Sequence, residues 1–146
     1  MRTIKIMCGL PRSGKSTWIK NNKTNEVIIS ADDIRYLVYG QRYWQDGESL
    51  MWSIRKIILE YMMKQGLDII IDETNITKES RKSIIKLAKK YNYYIIGNII
   101  EGVQINTCIN RAIESNQFNL IPVINRMAEQ FQLLEKEEGF DELNMI

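Results

Sequence analysis

The run Gly9-Leu10-Pro11-Arg12-Ser13-Gly14-Lys15-Ser16-Thr17 does more than any other stretch to limit how this chain can fold. It fits the pattern of a glycine, four free positions, then glycine–lysine–serine. The two glycines let the backbone turn sharply and approach anionic oxygens closely. The amides that follow form an inward-facing nest at a helix N-terminus, where the helix dipole also favours anions. Such a loop needs an apolar strand running in and a helix running out. Residues 3–8 (TIKIMC) are apolar and β-branched, and residues 15–22 open a helical pattern. The expectation is a site for nucleotide phosphates. Lys15 reaches the outer phosphates, and the Ser16 hydroxyl ligates Mg²⁺. Pro11, Ser13 and Thr17 complete the cradle. Arg12 adds a cation at the loop's tip, facing solvent or a phosphate.

The rest of the chain alternates strands and helices around this loop. Short apolar runs at 26–30, 67–71 and 93–100 read as strands. Helical patterns cover 31–40, 47–65, 78–91, 104–114 and 123–138. In the longest of these, Leu50, Ile54, Ile57, Ile58, Tyr61 and Met62 recur at intervals of three and four, which predicts a buried stripe. In the helix at 78–91 the predicted stripe is Ile84, Leu87, Ala88 and Tyr91. Its lysines and Arg81 read as a solvated basic face. Isoleucine-rich strands alternating with helices imply a parallel sheet covered on both sides, hence a three-layer α/β fold.

Composition narrows the chemistry. The chain has 146 residues, the length of a single domain. Its net charge of +2 is too small to be a nucleic-acid footprint in itself. Cys8 and Cys108 lack metal-ligand spacing, and the start of the chain does not resemble a secretion signal, so a reducing cytoplasm is expected. There is no histidine. General acid–base work must therefore fall to Asp, Glu, Lys, Tyr or Cys.

Two acidic segments follow strands and so lie at the edge of the sheet where ligands bind. The first is Ile71-Asp72-Glu73-Thr74-Asn75, in which Asp72 is the expected support for Mg²⁺ and Glu73 is able to share the role. The second is Ser30-Ala31-Asp32-Asp33-Ile34-Arg35. Asp32 and Arg35 are three apart and share a helix face, whereas Asp33 and Arg35 do not. That spacing favours Asp32 as the base for an acceptor hydroxyl and Arg35 as an anchor for a phosphate on the acceptor. A purely structural role exists for the same residues: Ser30 or Asp32 as N-cap, with Asp33 favouring the dipole.

GLPRSGKSTW, SADDIR, IIIDETN and NR…IP, in this order and spacing over residues 3–130, resemble the phage and bacterial polynucleotide 5′-kinases and their small P-loop kinase relatives. Trp18 fits that pattern. The resemblance implies a compact P-loop kinase with a four-stranded parallel sheet and a mobile lid, here about residues 108–126. It implies ATP as phosphate donor, with Mg²⁺, and a 5′-hydroxyl end of DNA or RNA as acceptor. In the family the first Asp of the D-x-x-R element is the general base and its Arg holds the acceptor's phosphate; these are Asp32 and Arg35 here. Arg111 matches the first lid arginine. The second, four residues on, is replaced by Ser115, and Arg126 is the nearest substitute. The family also implies a bacterial or phage-infected cell. A single domain leaves no room for a phosphatase or ligase, which would sit on a partner chain. Two other readings stand beside this one: a kinase of small hydroxyl compounds such as nucleosides, nucleotides, sugars or antibiotics, and a non-catalytic ATP-binding switch.

The aromatic cluster Tyr36, Tyr39, Tyr43, Trp44 and Trp52 offers stacking surfaces, with Trp52 expected in the core. The acidic stretch at 135–142 reads as a solubilising end.

Overall fold

The computed structural model describes residues 1–100 and 102–146. Five strands form one fully parallel sheet: β1 (Thr3–Cys8), β2 (Val27–Ile29), β3 (Ile69–Ile71), β4 (Tyr94–Ile99) and β5 (Glu142–Met145). Their spatial order is β2-β3-β1-β4-β5. The register sets Ile4 beside Ile69 and Ile95, and Ile6 beside Ile71 and Gly97. The helices are α1 (Lys15–Asn22), α2 (Ala31–Tyr39), α3 (Glu48–Lys64), α4 (Lys78–Lys90), α5 (Ile105–Glu114) and α6 (Leu120–Gln130).

Side chains alternate across a strand. Ile4, Ile6, Ile69 and Ile71 therefore share one face and pack with Met51, Leu59 and Met63 of α3 and Ile84, Ile85 and Ala88 of α4. Met7 and Ile70 share the other face and pack with Ile19 and Trp18 of α1. A separate cluster of Cys108, Ala112, Leu120 and Ile124 joins α5 to α6. This is the expected three-layer arrangement.

The structure departs from the sequence expectation in five places. The sheet has five strands rather than the four that the resemblance implies, and the acidic stretch at 135–142, expected to be a solubilising end, leads into the fifth, β5. Glu138 of that tail pairs with Arg81, and Glu135 with Lys78. Leu134, Leu143 and Phe140 press onto Gly97 in β4, where an added Cβ would lie 2.5 Å from Leu134 Cδ2. The missing side chain at Gly97 is what lets this segment dock. The long helix predicted at 123–138 ends at Gln130, and its first turn carries Pro122, where no amide partner is lost.

The buried stripe of α3 is Met51, Arg55, Leu59 and Met63, with Ile54, Ile58 and Met62 partly covered. Leu50, Ile57 and Tyr61 of the predicted stripe are exposed. The helix is apolar on two faces, and periodicity cannot choose between them. Arg81, read as solvated, is fully buried. Trp52, read as core, is 44% exposed.

Candidate active site

Three loops leave the carboxyl ends of β1, β2 and β3 and open into one cleft of about 1310 Å³. The loop after β1 is held at its base by the Gly9 amide donating to the Thr74 carbonyl at 3.0 Å. A Cβ on Gly9 would lie 2.7 Å from Ser13 Oγ, so any side chain there would force the loop's serine to shift. Gly14 enters α1 at φ +110°, a conformation that side-chained residues resist. Inside the loop the Lys15 ammonium donates to the Gly9 and Leu10 carbonyls at 2.9 and 2.8 Å. The Ser13 hydroxyl is buried and has no hydrogen-bond partner among the described residues.

Burial pulls the Lys15 pKa down to about 8, with Asp72 acting against the shift. Phosphate groups would favour the charged lysine and raise that value. Below pH 8 the ammonium is charged in both free and bound protein, so affinity is insensitive to pH there. Above pH 8 the free protein must take up a proton to bind. The Kd for ATP is thus expected to rise with pH above 8, by up to about tenfold per unit. Isothermal titration of ATP between pH 7 and 9.5 checks this. A flat profile would refute it.

Asp72 follows β3 directly, and its amide donates to the Ile29 carbonyl at 2.9 Å. The Ser16 hydroxyl donates to Asp72 Oδ2 at 3.1 Å. Burial raises the Asp72 pKa, opposed by Ser16 and Lys15. Glu73 is turned elsewhere. Both its carboxylate oxygens accept from Arg55 of α3, at 3.1 and 2.7 Å. The two adjacent carboxylates are thus separated by their partners, and Asp72 alone of the pair meets Ser16.

The β2 strand delivers α2. Ser30 is its N-cap, its Oγ accepting from the Asp33 amide at 3.3 Å. Asp32 is therefore free of capping duty and faces the cleft. Arg35 Nη1 donates to Asp32 Oδ1 at 2.9 Å, the same-face pairing the spacing implies. Arg35 also donates from Nε and Nη2 to both oxygens of Glu48, at 2.9 and 2.7 Å. The guanidinium holds the Glu48 carboxyl below its usual range. Tyr39 donates its hydroxyl to Glu48 at 2.7 Å. The Trp52 ring lies between two cations, with Arg35 Cζ 5.6 Å and Arg55 Cζ 5.5 Å from its centroid.

The α5–α6 pair closes the cleft's other side. Arg111 Nη1 donates to the Arg12 carbonyl at 2.9 Å, and Arg12 Nη2 returns a bond to the Arg111 carbonyl at 3.3 Å. Arg12 is exposed at the loop's tip, as one of the two expectations had it, and its head also bonds to α5. Arg126 of α6 lines the same cleft.

The cleft accordingly gathers Pro11 through Thr17, Asp32, Arg35, Asp72, Arg111 and Arg126. Sequence reasoning missed Arg42, Glu48 and Arg55. Glu48 and Arg55 sit on a helix whose predicted buried stripe is rotated from the observed one. Arg42 sits in a connection with no periodicity.

A strand–glycine loop–helix with a serine–aspartate pair at the edge of a parallel sheet defines a P-loop protein of the kinase type. A family model described as an AAA domain matches residues 4–100, more than half of the chain, and the chain belongs to that family. A protein of Autographa californica nuclear polyhedrosis virus, inferred to be a bifunctional polynucleotide kinase/RNA ligase, is 24% identical over 155 residues. That match takes in 96% of this chain, which spans only 22% of the relative's length. In the solved Pnkp1/Rnl/Hen1 complex, one chain superposes with a TM-score of 0.66 at 22% identity, covering 75% of this chain and 38% of that one. A chain of the PezAT chromosomal toxin–antitoxin system of Streptococcus pneumoniae superposes with a TM-score of 0.76 at 18% identity, covering 99% of this chain and 66% of that one. Among the described residues no helix is long and apolar enough to cross a membrane.

Proposed function

We propose that this chain is a single kinase domain that transfers the γ-phosphoryl group of ATP to the 5′-hydroxyl end of DNA or RNA. One observation carries the reading: Asp32 faces the same cleft as the phosphate loop, held there by Arg35 and released from the N-cap by Ser30. The loop amides and Lys15 receive the donor's phosphates. The Asp32 carboxylate accepts the proton of the acceptor hydroxyl. The acceptor's hydroxyl oxygen bonds to the γ-phosphorus as the bond to the β–γ bridging oxygen breaks, and ADP leaves. Arg111, with Arg126 lining the same cleft, supplies positive charge from the α5–α6 lid as negative charge spreads over the transferring group.

Ser16 Oγ and Asp72 Oδ2 sit 3.1 Å apart at the mouth of the loop, a pair of hard oxygens of the kind Mg²⁺ accepts. Among the described residues no group of three or more His, Cys, Asp or Glu could hold a metal. An ion held by Ser16 and Asp72 would take its remaining ligands from water and nucleotide phosphates. When bound, Mg²⁺ would offset charge on the β- and γ-phosphates.

The family resemblance and the viral relative favour a nucleic-acid acceptor. The relative's name also couples a kinase to a ligase, in keeping with a partner activity outside these residues. A second reading, a kinase of small hydroxyl compounds, draws support from Glu48: it neutralises the arginine assigned to the acceptor's phosphate. Transfer of labelled γ-phosphate from Mg²⁺–ATP to 5′-hydroxyl oligonucleotides, set beside free nucleosides and sugars, separates the two. Oligonucleotide labelling well above the small acceptors is the expected result. Labelling of small acceptors alone overturns the nucleic-acid reading.

A further inference from the structure

Glu73 stands between two residues that grip the phosphate loop. Asp72 before it accepts from Ser16 Oγ at 3.1 Å, and the Thr74 carbonyl after it accepts from the Gly9 amide at 3.0 Å. Its backbone is therefore pinned beside that loop, and Glu73 lines the same cleft. Its carboxylate is nonetheless withdrawn. Both oxygens accept from Arg55 of α3, at 3.1 Å from Nε and 2.7 Å from Nη2. The two side chains, Arg55 and Glu73, are only 9% and 8% exposed. Arg55 is not among the residues lining the cleft, so it draws the carboxylate back from outside. The Trp52 ring, its centroid 5.5 Å from Arg55 Cζ, backs the guanidinium.

A buried ion pair costs about as much in desolvation as its attraction returns, so stability alone does not account for a fork at this position. The chemistry of the cleft does. A carboxylate within reach of a γ-phosphate is a base for any hydroxyl that enters between them, and water is the smallest and most abundant of these. A site that passes a phosphoryl group to a chosen acceptor has to exclude that side reaction. Asp32, on α2, is the base assigned to the acceptor. A free Glu73, on the loop after β3, would be a second base with no acceptor to select. A guanidinium fork occupies both oxygens of a carboxylate at once, which an ammonium does not.

We propose that Arg55 is a positioning residue that keeps Glu73 from serving as a base for water, and so sets the preference of the site for an acceptor hydroxyl over hydrolysis. The inference rests on the kinase reading of this cleft and adds to it a determinant of selectivity between acceptor and water. Without Arg55, the Glu73 carboxylate takes a proton from a water molecule. The water oxygen bonds to the γ-phosphorus, the bond to the β–γ bridging oxygen breaks, and ADP and phosphate leave. With Arg55 in place that route lacks its base, and ATP is kept for the acceptor.

The test measures phosphate release from saturating Mg²⁺–ATP without acceptor, and labelled transfer to a 5′-hydroxyl oligonucleotide with it. Wild type is set beside Arg55→Met, Arg55→Lys, the double variant Arg55→Met/Glu73→Gln, and Leu59→Ala. The last of these removes a buried side chain one turn along α3 and leaves the fork intact. Arg55→Met should raise hydrolysis about 10- to 100-fold, at or below the lower end of what a positioned base supplies, because a freed side chain is not held in place. The share of phosphoryl groups that reach the oligonucleotide should fall with it. Arg55→Lys, which keeps the charge without the fork, should raise hydrolysis less. The double variant, which leaves no unpaired charge, should lose the rise, and Leu59→Ala should show none.

Hydrolysis that stays at the wild-type level in Arg55→Met and Arg55→Lys, while both still bind ATP, overturns the inference, and transfer by wild type then leaves the kinase reading standing. A rise that survives in the double variant, or that Leu59→Ala reproduces, overturns it too, because water then enters through a loosened fold rather than through Glu73. A rise that depends on Glu73, with no transfer to any acceptor by wild type, upholds the restraint on water and sinks the kinase reading. Should Arg55→Met fail to fold, the comparison of Arg55→Lys with Arg55→Lys/Glu73→Gln decides by the same criteria.

Discussion

Replacing Asp32 with asparagine is expected to lower kcat about 10²- to 10⁴-fold, the usual worth of a positioned general base. The substitution keeps the shape of the side chain and leaves an oxygen for Arg35 Nη1 to bond at the present 2.9 Å. Lys15, Ser16 and Asp72 do not contact Asp32 through hydrogen bonds, so ATP affinity should remain near wild type. The charge change has a second consequence. Asp32 sits between Arg35 and Arg42, and removing its negative charge leaves that end of the cleft more positive. KM for a phosphate-bearing acceptor should therefore fall while kcat collapses. That combination separates a lost base from a damaged fold. Asp33→Asn should cost far less, because the Asp33 side chain has no partner on Arg35 and only its amide is engaged, by Ser30. Steady-state kinetics on the three proteins decide the matter. A kcat for Asp32→Asn within tenfold of wild type would remove Asp32 from the chemistry.

What could be read ahead of the structure follows a physical division. Local chemistry was legible. The glycine spacing, the strand before it and the helix after it define the phosphate loop without any tertiary information, and the i, i+3 spacing placed Arg35 on Asp32. Alternating isoleucines implied the parallel sheet and its two covered faces. Long-range choices were not legible. In α3 the set Leu50, Ile57, Tyr61 and the set Met51, Leu59, Met63 are both apolar at helical spacing, and only the packing against β1 and β3 selects the second. Asp72 and Glu73 are adjacent acids that local sequence treats alike. Arg55, eighteen residues earlier, removes Glu73 by taking both of its oxygens. The fifth strand was hidden because its docking depends on Gly97 and Leu134, which lie far apart in the chain. The charge runs misled at single positions: the lysines at 78–90 are exposed as expected, whereas Arg81 among them is buried and meets Glu138 of the acidic stretch.

That meeting carries the largest expected effect on stability. Arg81 is fully buried and all five of its N–H groups are used. Nε and Nη2 donate to the two Glu138 oxygens at 2.8 and 3.0 Å. Nη1 donates to the Asn75 and Gln132 carbonyls at 2.8 and 3.1 Å, and Nη2 also reaches the Leu133 carbonyl at 3.3 Å. One side chain thus ties α4 to the segment leading into β5 and to the loop after β3. Arg81→Met keeps the volume but strands a half-buried carboxylate and three carbonyls. The expected loss is about 3–5 kcal/mol, the cost of breaking a buried pair by removing one partner. Urea denaturation of both proteins measures it, and a loss under about 1 kcal/mol would show the network to be idle. Acid should act through the same pair. Burial favours the neutral Glu138 carboxyl, but Arg81 and the Glu135 amide outweigh it and hold the pKa below the usual value. A depressed folded pKa adds stability that is present above the unfolded pKa and lost as pH falls through the folded one. Wild type should therefore lose stability in acid more steeply than Arg81→Met, which has already lost the pairing. The consequence reaches the active site. Asn75, which accepts from Arg81, also accepts from the Cys8 thiol and donates to the Met7 carbonyl, and its neighbour Thr74 accepts from the Gly9 amide. The base of the phosphate loop is braced by the loop that Arg81 holds. Under conditions where Arg81→Met is still folded, its affinity for ATP should fall alongside its stability, although Arg81 itself is not among the residues lining the cleft.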